Sequence, residues 1–586
     1  MTKARGKLPT VPNQPSRGNL LGWLVALALV AGLAAQRVCV LSRAAATDFD
    51  DAYMYLRYAN NWLGGYGLTW NRGEGSVYGA TSLAHVGVVT AVRWLFPRIA
   101  PASVLHVASG GAAIGLLAAL VGMLALCSRN GRQWRDWIAW SAVVLMLIGF
   151  RDTFVFHAGT GMDTMLSALA NTTLAFCALQ FAKWPTLPRA ELTALVSFFV
   201  VLVRPDNLPC AFLCPALACV LLAPRPWGKP LAMFCGVLGV LLAALVLAVW
   251  IELGTPVPLS FFAKRPRYYG GFAGEFAWNP YLFFRVFLST AWPFVAALIV
   301  LADRAGWRKA AALLLPACAS MAMLLSFNQI MGHLGRFYYP FLPFFVAAGA
   351  LEFAAWLARV RAGLAIHART VLVRAGIAVA AVLVGDLALL AAAEHFQARA
   401  QSQTFAQTGG FRVAAALPLP ELDSWQSAQA IASIAAASPA GTSFAMSEHG
   451  LPGALAPQAT IVDVLGLHDR YFAKHGFSAA ELFRRKPDAI WMPHPDHTQM
   501  LRDILDSDEL WSHYVFYPDA FAYGVALRTD GPHYAHLATL LKAQWQGAYS
   551  SLPMADYVAA RGEWNPRIGS GQPPLQRHGG DGARRQ

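Results

Sequence analysis

Asp50-Asp51-Ala52-Tyr53-Met54-Tyr55-Leu56-Arg57-Tyr58-Ala59 stands just behind an apolar run that extends from Leu20 to Leu41. The run is about 22 residues long, enough to cross a bilayer and too long for a signal-peptide core. No clean small-residue cleavage site ends it. Lys3, Arg5, Lys7 and Arg17 precede it, so residues 1–19 are expected to be a basic cytoplasmic N-terminus. Asp50 and Asp51 then open a short aromatic, amphipathic helix on the opposite face. Acids at a membrane surface are costly unless they have a use.

Working outward, the composition agrees with a membrane protein. Of 586 residues, 56% are hydrophobic and 13% are charged, with a mean hydropathy of +0.43. A soluble domain carries about 25% charged residues, so most of this chain belongs in a bilayer. The net charge of +14 does not indicate nucleic acid, because Lys and Arg cluster in short loops between apolar segments, as membrane topology requires. The eight cysteines lie in or beside apolar runs. Even Cys210, Cys214 and Cys219 are explained by an apolar helix with small residues, and no disulfide framework or zinc site is expected.

Further apolar segments lie near 79–97, 102–127, 137–151, 162–182, 189–203, 207–224, 230–252, 284–302, 309–327, 337–359 and 370–393. Each approaches the ~20 residues of a span, 137–151 and 189–203 least closely. Basic loops at 129–132, 183–189, 225–229, 304–309 and 359–369 alternate consistently if all are cytoplasmic. Segment 79–97, with His85 and Arg93, breaks that alternation if it crosses, so either it lies at the interface or the 129–132 loop violates the rule. The expected fold is an α-helical polytopic membrane protein of about 11–13 transmembrane helices with a C-terminal extracytoplasmic α/β domain. In residue terms, 20–393 is the transmembrane module with outer loop 42–78, and 394–569 is the α/β domain. Within it, strands are read at 442–447, 460–464, 489–492 and 514–527, with helices at 478–485 and 498–505. The Gly-, Pro- and Arg-rich tail 570–586 is expected to be disordered.

The outer face gathers the candidate chemistry. One acid would suffice to complement a helix dipole, so the second of Asp50 and Asp51 calls for a substrate, a metal or a base role. Lys264, Arg265 and Arg267 sit beside aromatic residues where the positive-inside rule disfavours cations. They suit a phosphate at the lipid headgroup level, or else anionic headgroups themselves. Arg204 and Arg336 stand at other outer helix ends, where snorkelling is the plain alternative. His157, Asp163 and His333 complete the set on that side.

Several blocks resemble a family. Asp50-Asp51-Ala52-Tyr53 through Tyr58-Ala59-Asn60, Gly65-Tyr66-Gly67-Leu68-Thr69-Trp70-Asn71, and Glu74 through Tyr78-Gly79-Ala80-Thr81-Ser82 are similar to the first outer loop of GT-C-fold glycosyltransferases. The nearest likeness is to the group of the mycobacterial terminal β-1,2-arabinofuranosyltransferase. Gly161-Met162-Asp163-Thr164 and Arg204-Pro205-Asp206 resemble two further blocks of that group, each with Asp where the group has Glu. Pro258 to Lys264, Gly335-Arg336-Phe337 and Val462-Asp463-Val464-Leu465-Gly466-Leu467 resemble later ones. Each Glu-to-Asp change withdraws a carboxylate by roughly 1.5 Å.

The resemblance implies a polyprenyl-phosphate sugar donor, with a glycan, lipid or protein acceptor at the outer face of a bacterial plasma membrane. Asp51 is then the base and Asp50 positions the acceptor or supports a divalent cation. Lys264, Arg265, Arg336 and Arg204 hold the donor phosphate, and His157, Asp163 and His333 contact substrate. Arabinofuranose is the sugar it raises. A lipid-sugar flippase is the competing reading; it predicts ionisable residues at mid-helix and an internal repeat, whereas the candidate charges sit at helix ends and no repeat appears.

Overall fold

The computed structural model describes residues 17–43, 49–128, 134–265, 279–325, 329, 331–362, 368–408, 422–550 and 552–561. The basic loop 129–132, residues 266–278 with Arg267, most of the N-terminal 1–19 and the tail 570–586 lie outside them.

The membrane module begins with α1 (Arg17–Arg43), α2 (Asp50–Leu63), α3 (Leu83–Leu95) and α4 (Pro101–Cys127). Then follow α5 (Trp134–Val144), α6 (Asp152–Gly159), α7 (Thr164–Lys183), α8 (Leu187–Val203), α9 (Leu208–Leu222), α10 (Gly228–Leu253) and the single turn α11 (Ser260–Ala263). It closes with α12 (Pro280–Leu301), α13 (Arg304–Leu324), α14 (Leu342–Arg361) and α15 (Ala368–Thr408). Eight helices among the described residues are long and apolar enough to cross a membrane, or nine if α5 and α6, bent by 79°, form one span. Two more connect the same ends of the bundle. α8, of 17 residues, starts where Arg189 bonds the Gln180 carbonyl at 3.0 Å and ends at Arg204. α13, of 21 residues, starts beside Arg359, which pairs with Asp303, and ends at Leu324. The eight or nine spans among the described residues are fewer than the 11–13 expected, because α8 falls short in length and α13 is not apolar enough to count.

Segment 79–97 is the one that does not cross. It forms α3, of 13 residues, and α4 begins at the end of the bundle that α1 has just reached: His106 Nε2 meets the Leu41 carbonyl. Both ends of α3 therefore lie at that end, which removes the conflict in loop charge.

The C-terminal region holds α16 (Ser424–Ala437), β1 (Ser443–Met446), α17 (Gly450–Leu455), β2 (Thr460–Asp463), β3 (Ala489–Trp491), β4 (Tyr514–Tyr517) and β5 (Val525–Arg528). The sheet order is β2-β1-β3-β5-β4, with β2, β1 and β3 parallel and β5 antiparallel to both neighbours. The single strand read at 514–527 is in fact two. Pro518 lacks a donor, and Asp519, Phe521 and Gly524 take positive φ, so the chain turns back.

The two regions are welded through the first loop. Arg57, 1% exposed, directs its guanidinium at five oxygens: Trp70 O at 2.6 Å, Asn71 Oδ1 at 2.8 Å, and the Gly453, Ala456 and Ala459 carbonyls. Trp70 and Asn71 in turn bond the Ile461 carbonyl of β2, at 3.1 and 3.0 Å. Nearby, a Cβ on Gly79 would sit 2.1 Å from His468 Nδ1 and 2.3 Å from Tyr58 Oη, so only glycine admits that approach. Removing the guanidinium strands several buried acceptors. Arg57→Leu should therefore cost about 3–5 kcal/mol, seen as a lower melting temperature and as new protease cleavage in the C-terminal region. Wild-type melting and cleavage would show that the weld lies elsewhere.

Candidate active site

The adjacent acids at the start of α2 face different partners. Asp50 Oδ2 accepts from Gly450 N and Oδ1 from Leu451 N, both at 2.7 Å, so this carboxylate caps the first turn of α17, 400 residues away. Burial raises its pKa, against the pull of His449 and these two N–H groups. Asp51 Oδ2 instead lies 3.2 Å from Arg336 Nη1. A guanidinium at Asp51 and two amides at Asp50 oppose a divalent cation between them.

Around Phe337 three cations converge. Lys264 Nζ lies 5.6 Å from the ring centroid, the Arg204 Cζ 5.6 Å and the Arg336 Cζ 5.4 Å. Arg204 is neutralised by Asp206, at 2.8 Å, and by Asp163, at 3.4 Å. Arg336 has Asp51, and its Nε is buried without a partner among the described residues. Lys264 has no carboxylate of its own among the described residues. Burial depresses its pKa to about 8, with Asp51 pulling upward and Arg336 and Arg204 pushing down.

These residues line a cavity of about 90 Å³ together with Tyr55, Thr81, Ser260 and Leu324. A second cavity, of about 330 Å³, opens between the bundle and the C-terminal sheet. Asp50, Asp51, Lys264 and His333 line it from one side, and Trp425, Ser447, Glu448, His449, His494, Asp496, His497 and Tyr523 from the other. Lys264 borders both cavities, and the Asp51–Arg336 pair spans them.

The sequence-predicted residues thus divide. Asp51, Lys264, Arg336, Arg204 and Asp163 come together, and His333 reaches the larger cavity. Arg265 is exposed, its Cζ 5.0 Å from the Phe262 ring, and lines neither cavity. His157 also lines neither: its Nε2 meets the Leu334 carbonyl at 3.1 Å, supporting the turn that presents Arg336. The acids and histidines of the sheet were not read from the sequence. Glu448 is the notable one, its carboxyl pushed up to about 8 by burial and then by Asp50 and Asp51. A signal was available, since Glu448 follows β1 and His494 to His497 follow β3. In parallel sheets the carboxyl ends of strands carry the sites.

No protein-family model matches the chain, and no curated protein matches its sequence. Among solved structures it is similar to ArnT from Cupriavidus metallidurans bound to undecaprenyl phosphate, at a TM-score of 0.49 and 12% identity. The match covers 87% of this chain and 99% of that one. A likeness of that degree is too slight to bear on the chemistry, which rests on the geometry above.

The division between the acids is measurable. Asp50→Ala should cost about 1–3 kcal/mol of stability, because two buried amides lose their acceptor. Asp51→Asn strands no amide, and its side-chain oxygen can still accept from Arg336, so it should cost less. Equal losses in the two variants would refute the separate roles.

Proposed function

We propose that the protein is a membrane glycosyltransferase that moves a sugar from a polyprenyl-phosphate donor to an acceptor hydroxyl. The observation that carries this reading is the pair of adjoining cavities, one ringed by Lys264, Arg204 and Arg336, the other by carboxylates and aromatic residues, with Asp51 where they meet. The donor phosphate takes the smaller cavity and the acceptor the larger. Asp51 removes the acceptor proton, the oxygen attacks the anomeric carbon, and the bond from that carbon to the phosphate oxygen breaks. The leaving phosphate departs as an anion, needs no general acid, and is stabilised by the cations around Phe337.

Before substrate arrives, Asp51 and Arg336 neutralise each other. A phosphate competes for Arg336 and frees the carboxylate to act as a base, so donor binding activates the site. The finer reading is arabinofuranose as the sugar and a cell-envelope glycan, lipid or protein as acceptor, at the outer face of a bacterial plasma membrane. The spans do carry ionisable side chains, against the sequence reading: Arg285 of α12 and Asp386 of α15 pair at 2.5 and 3.0 Å, are 42% and 40% exposed, line a cavity of about 510 Å³ between those helices, and neutralise each other.

Three measurements test this. With a defined polyprenyl-phosphate arabinofuranose in neutral detergent, Asp51→Asn should lose at least about 10²-fold in turnover while the protein remains folded and membrane-inserted. Near-normal turnover would refute the base; transfer only from another sugar donor would refute arabinose alone.

The second is a pH profile. Lys264, held at about 8, is cationic below that pH and neutral above it, so the donor KM should rise as pH passes through about 8. Lys264→Arg stays charged and should abolish the inflection. Because Glu448 titrates in the same range, both profiles belong in a Glu448→Gln background. An inflection that survives Lys264→Arg there excludes the lysine.

For orientation, cysteines at Ser76 and Thr529 in a background lacking the native cysteines should both be labelled from outside intact cells. Labelling only after permeabilisation would reverse the topology.

A further inference from the structure

Beneath the larger cavity, His449, Asp463 and His468 are 2%, 0% and 5% exposed, and each offers a ligand atom within 4.8 Å of the others. Three observations point to a missing cation. First, no Lys or Arg among the described residues lies within ion-pair distance of the Asp463 carboxylate; the basic side chain that does is the imidazole of His449, with Nδ1 at 3.7 Å. A buried carboxylate without a cation is costly. Second, His449 Nδ1 lies 2.6 Å from the Ser447 carbonyl, so it carries the proton and Nε2 bears the lone pair. That Nε2 is buried and has no partner among the described residues. An imidazole N–H fixed on a backbone carbonyl is how metal-bound histidines are oriented. Third, His468 is stacked on Trp70 at 3.9 Å, with Nδ1 3.0 Å from the Tyr58 hydroxyl and Nε2 2.7 Å from Met54 Sδ, a thioether that has no proton to give to the ring's lone pair.

The backbone is shaped for the same end. Gly466, at φ +77°, lets the chain after β2 curl so that Leu465 N and His468 N bond Asp463 at 2.9 and 2.6 Å, orienting the carboxylate.

We propose that His449, Asp463 and His468 bind one divalent transition metal, with zinc the best match to two imidazoles and a carboxylate. Zinc bonds of about 2.1 Å place tetrahedral ligands roughly 3.4 Å apart, so the three atoms must draw in by roughly 1.4 Å at most. The ion would neutralise Asp463 and fasten the end of β2 to the start of α17, behind the cavity wall that carries Glu448. This site is separate from Asp51 and does not depend on the glycosyltransferase reading.

The test uses the full chain purified in detergent without chelator. Elemental analysis should find about one zinc per chain, EDTA should lower the melting temperature, and ZnCl2 should restore it. His449→Gln and His468→Gln should lose the metal, whereas Asp51→Asn should keep it. Wild-type protein that is free of metal and gains no stability from ZnCl2 overturns the proposal, whether or not the variants fold. Retention of zinc in both histidine variants, or its loss in Asp51→Asn, overturns it as well by placing the ion elsewhere.

Discussion

Everything in the site depends on a single buried guanidinium. Arg57 belongs to the first loop, yet three of its five acceptors are carbonyls of the C-terminal region. A buried charge survives only when its donors are satisfied, and here the oxygens that satisfy it lie about four hundred residues along the chain. The larger cavity is the space left between two bodies held at the distance that this cluster sets. Without it, Asp51 would face open water, and the carboxyl end of β1 would not face Asp51.

Charge balance explains the rest of the arrangement. Three cations around one aromatic ring would repel each other, and three carboxylates hold them there. The matching is uneven: Arg204 takes two carboxylates, Arg336 one and Lys264 none. The smaller cavity is thus assembled with one cation held in reserve, as a site waiting for an anion requires. The larger cavity has the opposite character, rich in carboxylates and histidines, with Lys264 its one lysine or arginine. Under the proposed function, that difference in sign is what would direct the phosphate to one cavity and the acceptor to the other.

Much of the fold was legible because bilayer length and loop charge are strong, local signals. The apolar runs became helices, and the strands at 460–464 and 489–492 were found within a residue. Segment 79–97 was left open between a span and an interfacial helix, because hydropathy registers apolar length, while His85 and Arg93 mark the 13-residue helix it forms. The charged half of the site was legible too, since Lys264, Arg204 and Arg336 sit where the positive-inside rule disfavours them. Glu448 and His449 were hidden, because their meaning depends on which strands run parallel, and no single segment states that. His157 misled for the reverse reason: a polar residue near a site also serves by holding a neighbouring carbonyl.

The doubled acid itself finds its explanation in helical geometry. Successive side chains on a helix point about 100° apart, so adjacent carboxylates cannot serve one partner as a chelating pair would. Asp50, Met54 and Arg57 share one face of α2, at spacings of four and three residues. They meet Gly450, His468 and Gly453, all in the C-terminal region. Asp51 and Tyr55, four apart, share the next face and meet Arg336, His85 and the smaller cavity. One short helix thus fixes the two halves of the molecule with one stripe and presents a carboxylate to their junction with the other. An acid doubled at its start is what such a helix requires when both of its faces end in a charge.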